Sequence, residues 1–225
     1  MTRILVIVAG TNEPSNSNTL ADAFAEGATS VPGTDVTKVR LKDFSLPHFT
    51  ADCYNAACPM PQEYMQLKEL VLRADGILIA TPIWNFGVPA HLKNFIDWMG
   101  CFALDSETKS RGMLQSKPFY FLFTGGAPKA AWKGLMRFTT IFVPEAIRYF
   151  GGTIVGKYFE GKCMPARGKF GLVVDQRPES LATVRFCGNR FAAFVERFQK
   201  TGRLPFSYRI IERVYRLGQR LAAKF

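Results

Sequence analysis

The chain is short of several things, and each shortage narrows what it does. Two histidines in 225 residues leave little for histidine-based metal or acid–base chemistry. No His-x-x-x-His or Ser-His-Asp array is present, which removes support for hydrolase readings. His48 and His91 stand alone, and His91, near a helix start, reads as packing or capping. Five cysteines, an odd number without a secretory leader, argue against a disulfide framework and for a cytoplasmic chain. Cys53 and Cys58 share one loop, but a cluster normally needs four thiolates and no third lies nearby, so they read as loop thiols. Cys101, Cys163 and Cys187 lack metal spacing, and no metal site is expected. No apolar run approaches the roughly 20 residues needed to cross a bilayer.

Acidic residues are scarce in one half only. Residues 1–124 hold 10 Lys/Arg against 12 Asp/Glu, whereas residues 125–225 hold 19 against 6, so the net charge of +11 comes from the second half. An anionic partner on that side is one explanation: a phosphorylated cofactor or a membrane surface, with nucleic acid not expected. Solvated helix faces are the other.

What is present is alternation. Apolar segments at Arg3–Ala9, Gly76–Ala80, Pro118–Thr124 and Thr153–Tyr158, and an alternating one at Asp35–Leu41, read as strands. Helical patterns fall between and after them, at Asn16–Thr29, Pro61–Ala74, Val88–Cys101, Ala130–Phe138, Pro144–Phe150, Pro178–Gln199 and Tyr208–Ala223. Strand and helix alternating in this way predict βαβ units, a parallel sheet and an α/β three-layer sandwich. Residues 1–202 form the domain; 203–225 are a basic amphipathic helical extension. Phe159–Arg177 is the one long irregular stretch, the best candidate for a mobile loop.

The first strand-to-helix turn lacks another expected thing. A dinucleotide fold needs Gly-x-Gly-x-x-Gly there, so that backbone can approach a pyrophosphate. This turn has one glycine, in Gly10-Thr11-Asn12-Glu13-Pro14-Ser15-Asn16-Ser17-Asn18-Thr19. Short hydroxyls and amides at a helix N-terminus suit a terminal monophosphate, as FMN carries. The same residues are ordinary helix caps. The turn after the third strand, Thr81-Pro82-Ile83-Trp84-Asn85-Phe86-Gly87-Val88-Pro89, sets an aromatic and amides at the carboxyl end of the sheet. Ligands of open α/β sheets bind there. Trp84 in that turn reads as a cofactor wall rather than core.

These segments in combination resemble the NADPH-dependent FMN reductase family of flavodoxin-like flavoproteins. Gly10-Thr11 through Ser17-Asn18-Thr19-Leu20-Ala21 is similar to the family's phosphate loop. Ala74-Asp75-Gly76 through Trp98 is similar to its flavin segment and following helix. Thr124-Gly125-Gly126-Ala127-Pro128 resembles its glycine-rich flavin turn. The resemblance spans residues 3 to about 158 and implies a five-stranded sheet in the order 2-1-3-4-5 with helices on both faces. It implies FMN held by Thr11, Ser17, Asn18 and Thr19 at the phosphate. Pro82, Ile83, Trp84, Asn85, Phe86 and Gly87 would meet the O4/N5 edge of the flavin, and Thr124, Gly125, Gly126 and Ala127 its N1/O2 edge. No side chain is expected to be catalytic: hydride from NAD(P)H would pass to flavin N5 and on to a quinone, azo, flavin or similar acceptor by a ping-pong course. A homodimer or dimer of dimers through helices flanking the flavin, such as Val88–Cys101, is also implied.

Three departures stand out. Glu13 occupies a position where the family usually has Arg, so it must point away from the phosphate or the anion must be held otherwise. Trp84 stands where Tyr is common. Residues 203–225 extend past the usual end. Lys129, Lys133 and Arg137, four apart beside the glycine turn, are candidates for the 2′-phosphate of NADPH or a solvated face. In the extension, Ile210, Val214, Leu217 and Leu221 make an apolar stripe with Arg209, Arg213, Arg216 and Arg220 alongside. The expectation is that this stripe packs on the fold or on a dimer mate, with contact to an anionic membrane as the minor alternative. The runner-up reading of function is a flavodoxin-like electron carrier or interaction module without nicotinamide turnover. A third is a relic of the fold that binds no flavin and acts through its basic tail.

Overall fold

The computed structural model describes residues 1–55 and 58–222. Strands β1 (Thr2–Val8), β2 (Thr34–Arg40), β3 (Gly76–Pro82), β4 (Pro118–Thr124) and β5 (Thr153–Glu160) form one parallel sheet in the order β2-β1-β3-β4-β5. The helices are α1 (Asn16–Thr29), α2 (Gln62–Arg73), α3 (Ala90–Ala103), α4 (Lys129–Lys133), α5 (Phe142–Tyr149), α6 (Pro178–Thr201) and α7 (Phe206–Ala222). This is the flavodoxin-like sandwich that the alternation and the resemblance predict.

Side chains of a strand point alternately to its two faces. Leu5 and Ile7 of β1 join Ile77, Ile79, Phe119, Phe121 and Phe123 on one face, under Leu67 of α2, Phe95 of α3 and Ile147 of α5. Ile4, Val6 and Val8 join Leu78, Ala80 and Leu122 on the other, under Phe24 of α1 and Phe191 of α6. Both faces are covered, which is why β1, β3 and β4 read as continuous apolar runs. Helices α1 and α6 meet backbone to backbone. A Cβ on Gly188 would lie 2.0 Å from the Phe24 carbonyl oxygen, and one on Gly27 1.9 Å from that of Arg185.

The register sets the strand ends side by side. Val8 pairs with Ala80, Pro82 with Thr124, and Thr124 with Glu160. The turns after β1, β3 and β4 therefore share one edge, and the order reverses between β1 and β3, the switch point where such sheets bind ligands.

Two expectations fail locally. The helix predicted over Ala130–Phe138 ends at Gly134, which caps α4, and a 3₁₀ run continues from Leu135 to Thr140. Lys129, Lys133 and Arg137 therefore do not share one helical face. Helix α5 starts at Phe142, two residues before the predicted start at Pro144, which does lie in its first turn.

The tail is helical as expected, although its predicted last residue, Ala223, lies outside the described residues. Its packing face is the polar one. The Tyr208 hydroxyl donates to the Val155 carbonyl at 3.2 Å, Thr153 Oγ1 donates to Glu212 Oε1 at 2.7 Å, the Tyr215 hydroxyl donates to Glu145, and the Gln219 amide donates to the Tyr149 carbonyl. The apolar stripe faces out: Ile210, Val214, Leu217 and Leu221 are 46%, 64%, 60% and 53% exposed. The expected burial of the stripe on this chain's own fold is thus corrected. Periodicity shows which side of a helix is apolar, not which side finds a partner.

Candidate functional site

The floor of the first turn is a hydroxyl pair. Ser15 is the N-cap of α1, with β-region φ and ψ, and its Oγ accepts from the Asn18 amide at 3.3 Å. Ser15 Oγ also lies 3.1 Å from Ser17 Oγ. Both serines are buried, and both crowd Gly10, where a Cβ would fall 2.3 Å from Ser17 Oγ. The amides of Asn16 and Ser17 take no carbonyl partner among the described residues, as the first N–H groups of a helix cannot.

Other predicted phosphate residues are engaged elsewhere. Thr19 Oγ1 donates to the Ser15 carbonyl at 3.1 Å. Asn18 Nδ2 donates to Asp22 at 3.0 Å, and its Oδ1 accepts from Lys38 at 3.3 Å. Asn16 reaches sideways, to the carbonyl of Gly171 and the amides of Val173 and Val174. Thr11, half-buried, and Ser17 are the hydroxyls left facing the turn.

The charge at this mouth was not legible from the loop itself. Arg40 and Lys42, at and just past the end of β2, both pair with Glu13, the lysine at 2.7 Å. Those hydrogen bonds, Lys42's first and then Arg40's, hold the Glu13 carboxyl below its usual range. The departure at Glu13 is thereby answered: its carboxylate turns to two cations instead of standing alone. Arg40 Nη2 also reaches the Gly10 carbonyl at 3.5 Å, and Arg40 Nε is buried without a partner among the described residues.

The second turn is tight. The Trp84 amide donates to Gly87 and the Gly87 amide donates back to Trp84, at 2.9 and 2.8 Å. Asn85 and Phe86 between them both have positive φ, 49° and 62°, as a type I′ turn requires. A bulky residue rarely takes that conformation, and such outliers gather at ligand sites. The turn lifts Trp84 and Phe86 into solvent, 37% and 67% exposed. The amides of Trp84 and Gly87 are spent within it, and that of Ile83 donates to the Thr124 carbonyl at 2.7 Å. Those of Asn85 and Phe86 have no partner among the described residues.

That Ile83–Thr124 bond ties the second turn to the third. Gly125 continues it by donating to the Glu160 carbonyl at 3.0 Å. The amides of Gly126 and Ala127 have no partner among the described residues. A Cβ on Gly126 would meet Met164 Sδ at 2.7 Å. The first turn joins the group through His91, whose ring Nε2 lies 2.9 Å from the Ala9 carbonyl; burial lowers its pKa and favours the neutral ring.

Behind the third turn sits an ion cluster around a buried carboxylate. The Glu160 carboxylate, 4% exposed, binds Arg177 at 2.7 Å and lies 3.4 Å from Lys129. It accepts from the Tyr158 hydroxyl at 2.5 Å. Burial alone would raise its pKa; the bonds from Tyr158 and Arg177 outweigh that and lower it. Lys129 is thus committed to Glu160 and Tyr158. Arg177 also donates to the carbonyls of Gly161 and Lys162. The irregular stretch expected to be a mobile loop is therefore held at both ends, here and at Asn16. Among the described residues no group of three His, Cys, Asp or Glu side chains is placed to hold a metal ion.

The geometry fits FMN. A phosphate would find the first-turn amides, Ser17 and Thr11 at one end, with the Arg40 and Lys42 cations beside them at Glu13. A flat ring would find an exposed Trp84 on one side and unpaired amides on the other. Residues missed from sequence are Ser15, Arg40 and Lys42. The signal available was a Ser-x-Ser pair at the helix start and two cations where β2 ends, beside β1 on the same sheet edge.

Comparison with known proteins agrees. An FMN-dependent NADH:quinone oxidoreductase of Thiobacillus denitrificans is 42% identical over 64 residues, 27% of this chain and 31% of that protein. The chain spans 31% and 52% of two curated relatives it matches. Among solved structures, an NAD(P)H:quinone oxidoreductase from Methanothermobacter marburgensis superposes with a TM-score of 0.66 at 20% identity, covering 84% of this chain and 96% of that one. An azoreductase from Bacillus anthracis gives 0.59 at 19% identity, covering 88% and 100%. At such identities the likeness bears on the fold alone. A family model described as NADPH-dependent FMN reductase matches residues 2–156, the span that carries all three turns, and the chain belongs to that family.

Proposed function

We propose that the protein is an FMN-dependent NAD(P)H oxidoreductase that reduces quinones, and also azo compounds or flavins, by a ping-pong course. One observation carries this: the Ile83–Thr124 hydrogen bond locks an exposed aromatic turn to a glycine turn with free amides, at the switch point beside the Ser15–Ser17 floor. When bound, FMN supplies the centre that accepts and passes on hydride. The chain's own part is binding and orientation. The first-turn amides and Arg40 fix the phosphate, Trp84 shields one ring face, and the Gly126 and Ala127 amides stabilise negative charge at the ring edge. No side-chain acid or base is required. In this reading the protein works as a cytoplasmic homodimer.

The test is optical. The purified protein should be yellow or turn yellow with FMN, bleach with NADPH or NADH without oxygen, and recolour on adding a quinone. Double-reciprocal plots for donor and quinone should be parallel. A protein that takes up no FMN sinks the reading; one that stays yellow under nicotinamide supports the electron carrier instead. Intersecting plots would remove the ping-pong course.

A further inference from the structure

The outward face of α7 needs an occupant. The inward face is already satisfied by Tyr208, Glu212, Tyr215 and Gln219, which hydrogen-bond β5 and α5. Outward, Phe206 at 67% exposure continues the row of Ile210, Val214, Leu217 and Leu221. A contiguous apolar row of this kind marks an interaction surface.

Its charge says which kind. Arg209, Arg213, Arg216 and Arg220 each precede an apolar member of the row by one position and so flank it along its length. The one acid of the helix, Glu212, is turned into the fold, where it accepts from Thr153 and pairs with Arg216 at 3.2 Å. The flank therefore carries cations and no outward carboxylate among the described residues. Residues 203–225 net +5, six basic against one acidic, in a chain of +11. A second copy would bring the same stripe and the same arginines to a shared interface, like charge against like. An anionic lipid surface offers phosphate to the arginines and acyl chains to the apolar row. A helix of this pattern lies in the plane of the interface.

We infer that α7 docks the protein on anionic phospholipid bilayers, lying flat with its apolar row in the headgroup–acyl boundary and its arginines on lipid phosphates. No helix among the described residues is long and apolar enough to cross a membrane, so the contact is peripheral. The docking surface stands on α7 alone; its use, bringing the site to lipid-dissolved quinones, rests on the function proposed above.

The full chain is mixed with vesicles of phosphatidylglycerol and phosphatidylcholine, or of phosphatidylcholine alone, and sedimented. Binding is expected on the anionic vesicles only, falling at least about tenfold on raising salt from 0.05 to 0.5 M, since surface charge is screened. It should fall similarly in Val214→Glu with Leu217→Glu, and in the variant with all four arginines changed to Gln. These positions are exposed, so FMN uptake and melting temperature should stay as in the parent, which separates this test from that of the enzyme. Equal binding to both vesicle types, or none to either, overturns the inference. So does a lipid-free dimer in sedimentation velocity that the Val214→Glu, Leu217→Glu pair converts to monomer, because the row would then be covered by a second copy.

Discussion

At the residue scale the pivotal position is Glu13, a carboxylate beside the proposed phosphate site. Two cations hold it, Arg40 and Lys42, so a bound phosphate competes with Glu13 for them. Glu13→Gln removes the competitor and one negative charge. FMN affinity should rise about two- to fivefold, the scale of one partly screened charge. Arg40→Ala should lower it about tenfold, as loss of one charge-assisted bond implies. Fluorescence titration measures both, and a weaker Glu13→Gln complex would mean that the carboxylate organises the site instead of opposing it. The hydroxyls of Ser17 and Thr19 give a second contrast. Thr19→Ala should leave FMN affinity within about twofold, because its hydroxyl is spent on the Ser15 carbonyl. Ser17→Ala should cost about tenfold. Equal losses would contradict the bond pattern of the turn.

At the element scale, Glu160 anchors the loop Gly161–Arg177 and the third turn together. Its folded pKa lies below the usual value. Stability from this group is therefore fully present above the ordinary glutamate range and is lost as pH falls through the lowered folded value. Glu160→Gln should cost about 1–3 kcal/mol at pH 7, with the gap from wild type closing as the pH drops below about 4. Denaturant titrations at pH 7 and pH 3.5 would check this, and a gap that widens in acid would refute it. Elements with one dominant cause were legible in sequence. Helix α1 and strand β4 end where predicted, because a buried run or a cap bounded by glycine or proline leaves one solution. The predicted helix over Ala130–Phe138 ran through Gly134, which ends α4 as glycine commonly ends a helix; the 3₁₀ run beyond it has no such local signal. Ser15 could be read as a cap but not as the floor of a site, and Arg40 and Lys42 enter only once β2 lies beside β1. The three turns themselves were legible because their residue types are chosen by backbone conformation and donor chemistry, which are local.

At the scale of the whole molecule, chemistry and attachment occupy different places on the sheet. The three turns lie along its carboxyl edge, whereas α7 sits beside α5 and reaches the edge strand β5 through Tyr208 and Glu212. Its inward bonds reach Thr153 and Val155, near the amino end of β5, away from Glu160 and Gly125. Truncation after Gly202 should therefore separate stability from flavin binding. Loss of four tertiary hydrogen bonds, roughly 1 kcal/mol each, should lower the melting temperature by about 8–16 °C in a domain of this size. FMN affinity and NADPH-driven quinone reduction at low temperature should stay within about twofold, because none of the residues assigned to the phosphate or ring contacts touches α7. Thermal melts and FMN titration of the two lengths decide it. If the truncated chain loses FMN while melting where the full chain does, α7 supports the site from a distance, and the separation of the two functions along the sheet is wrong.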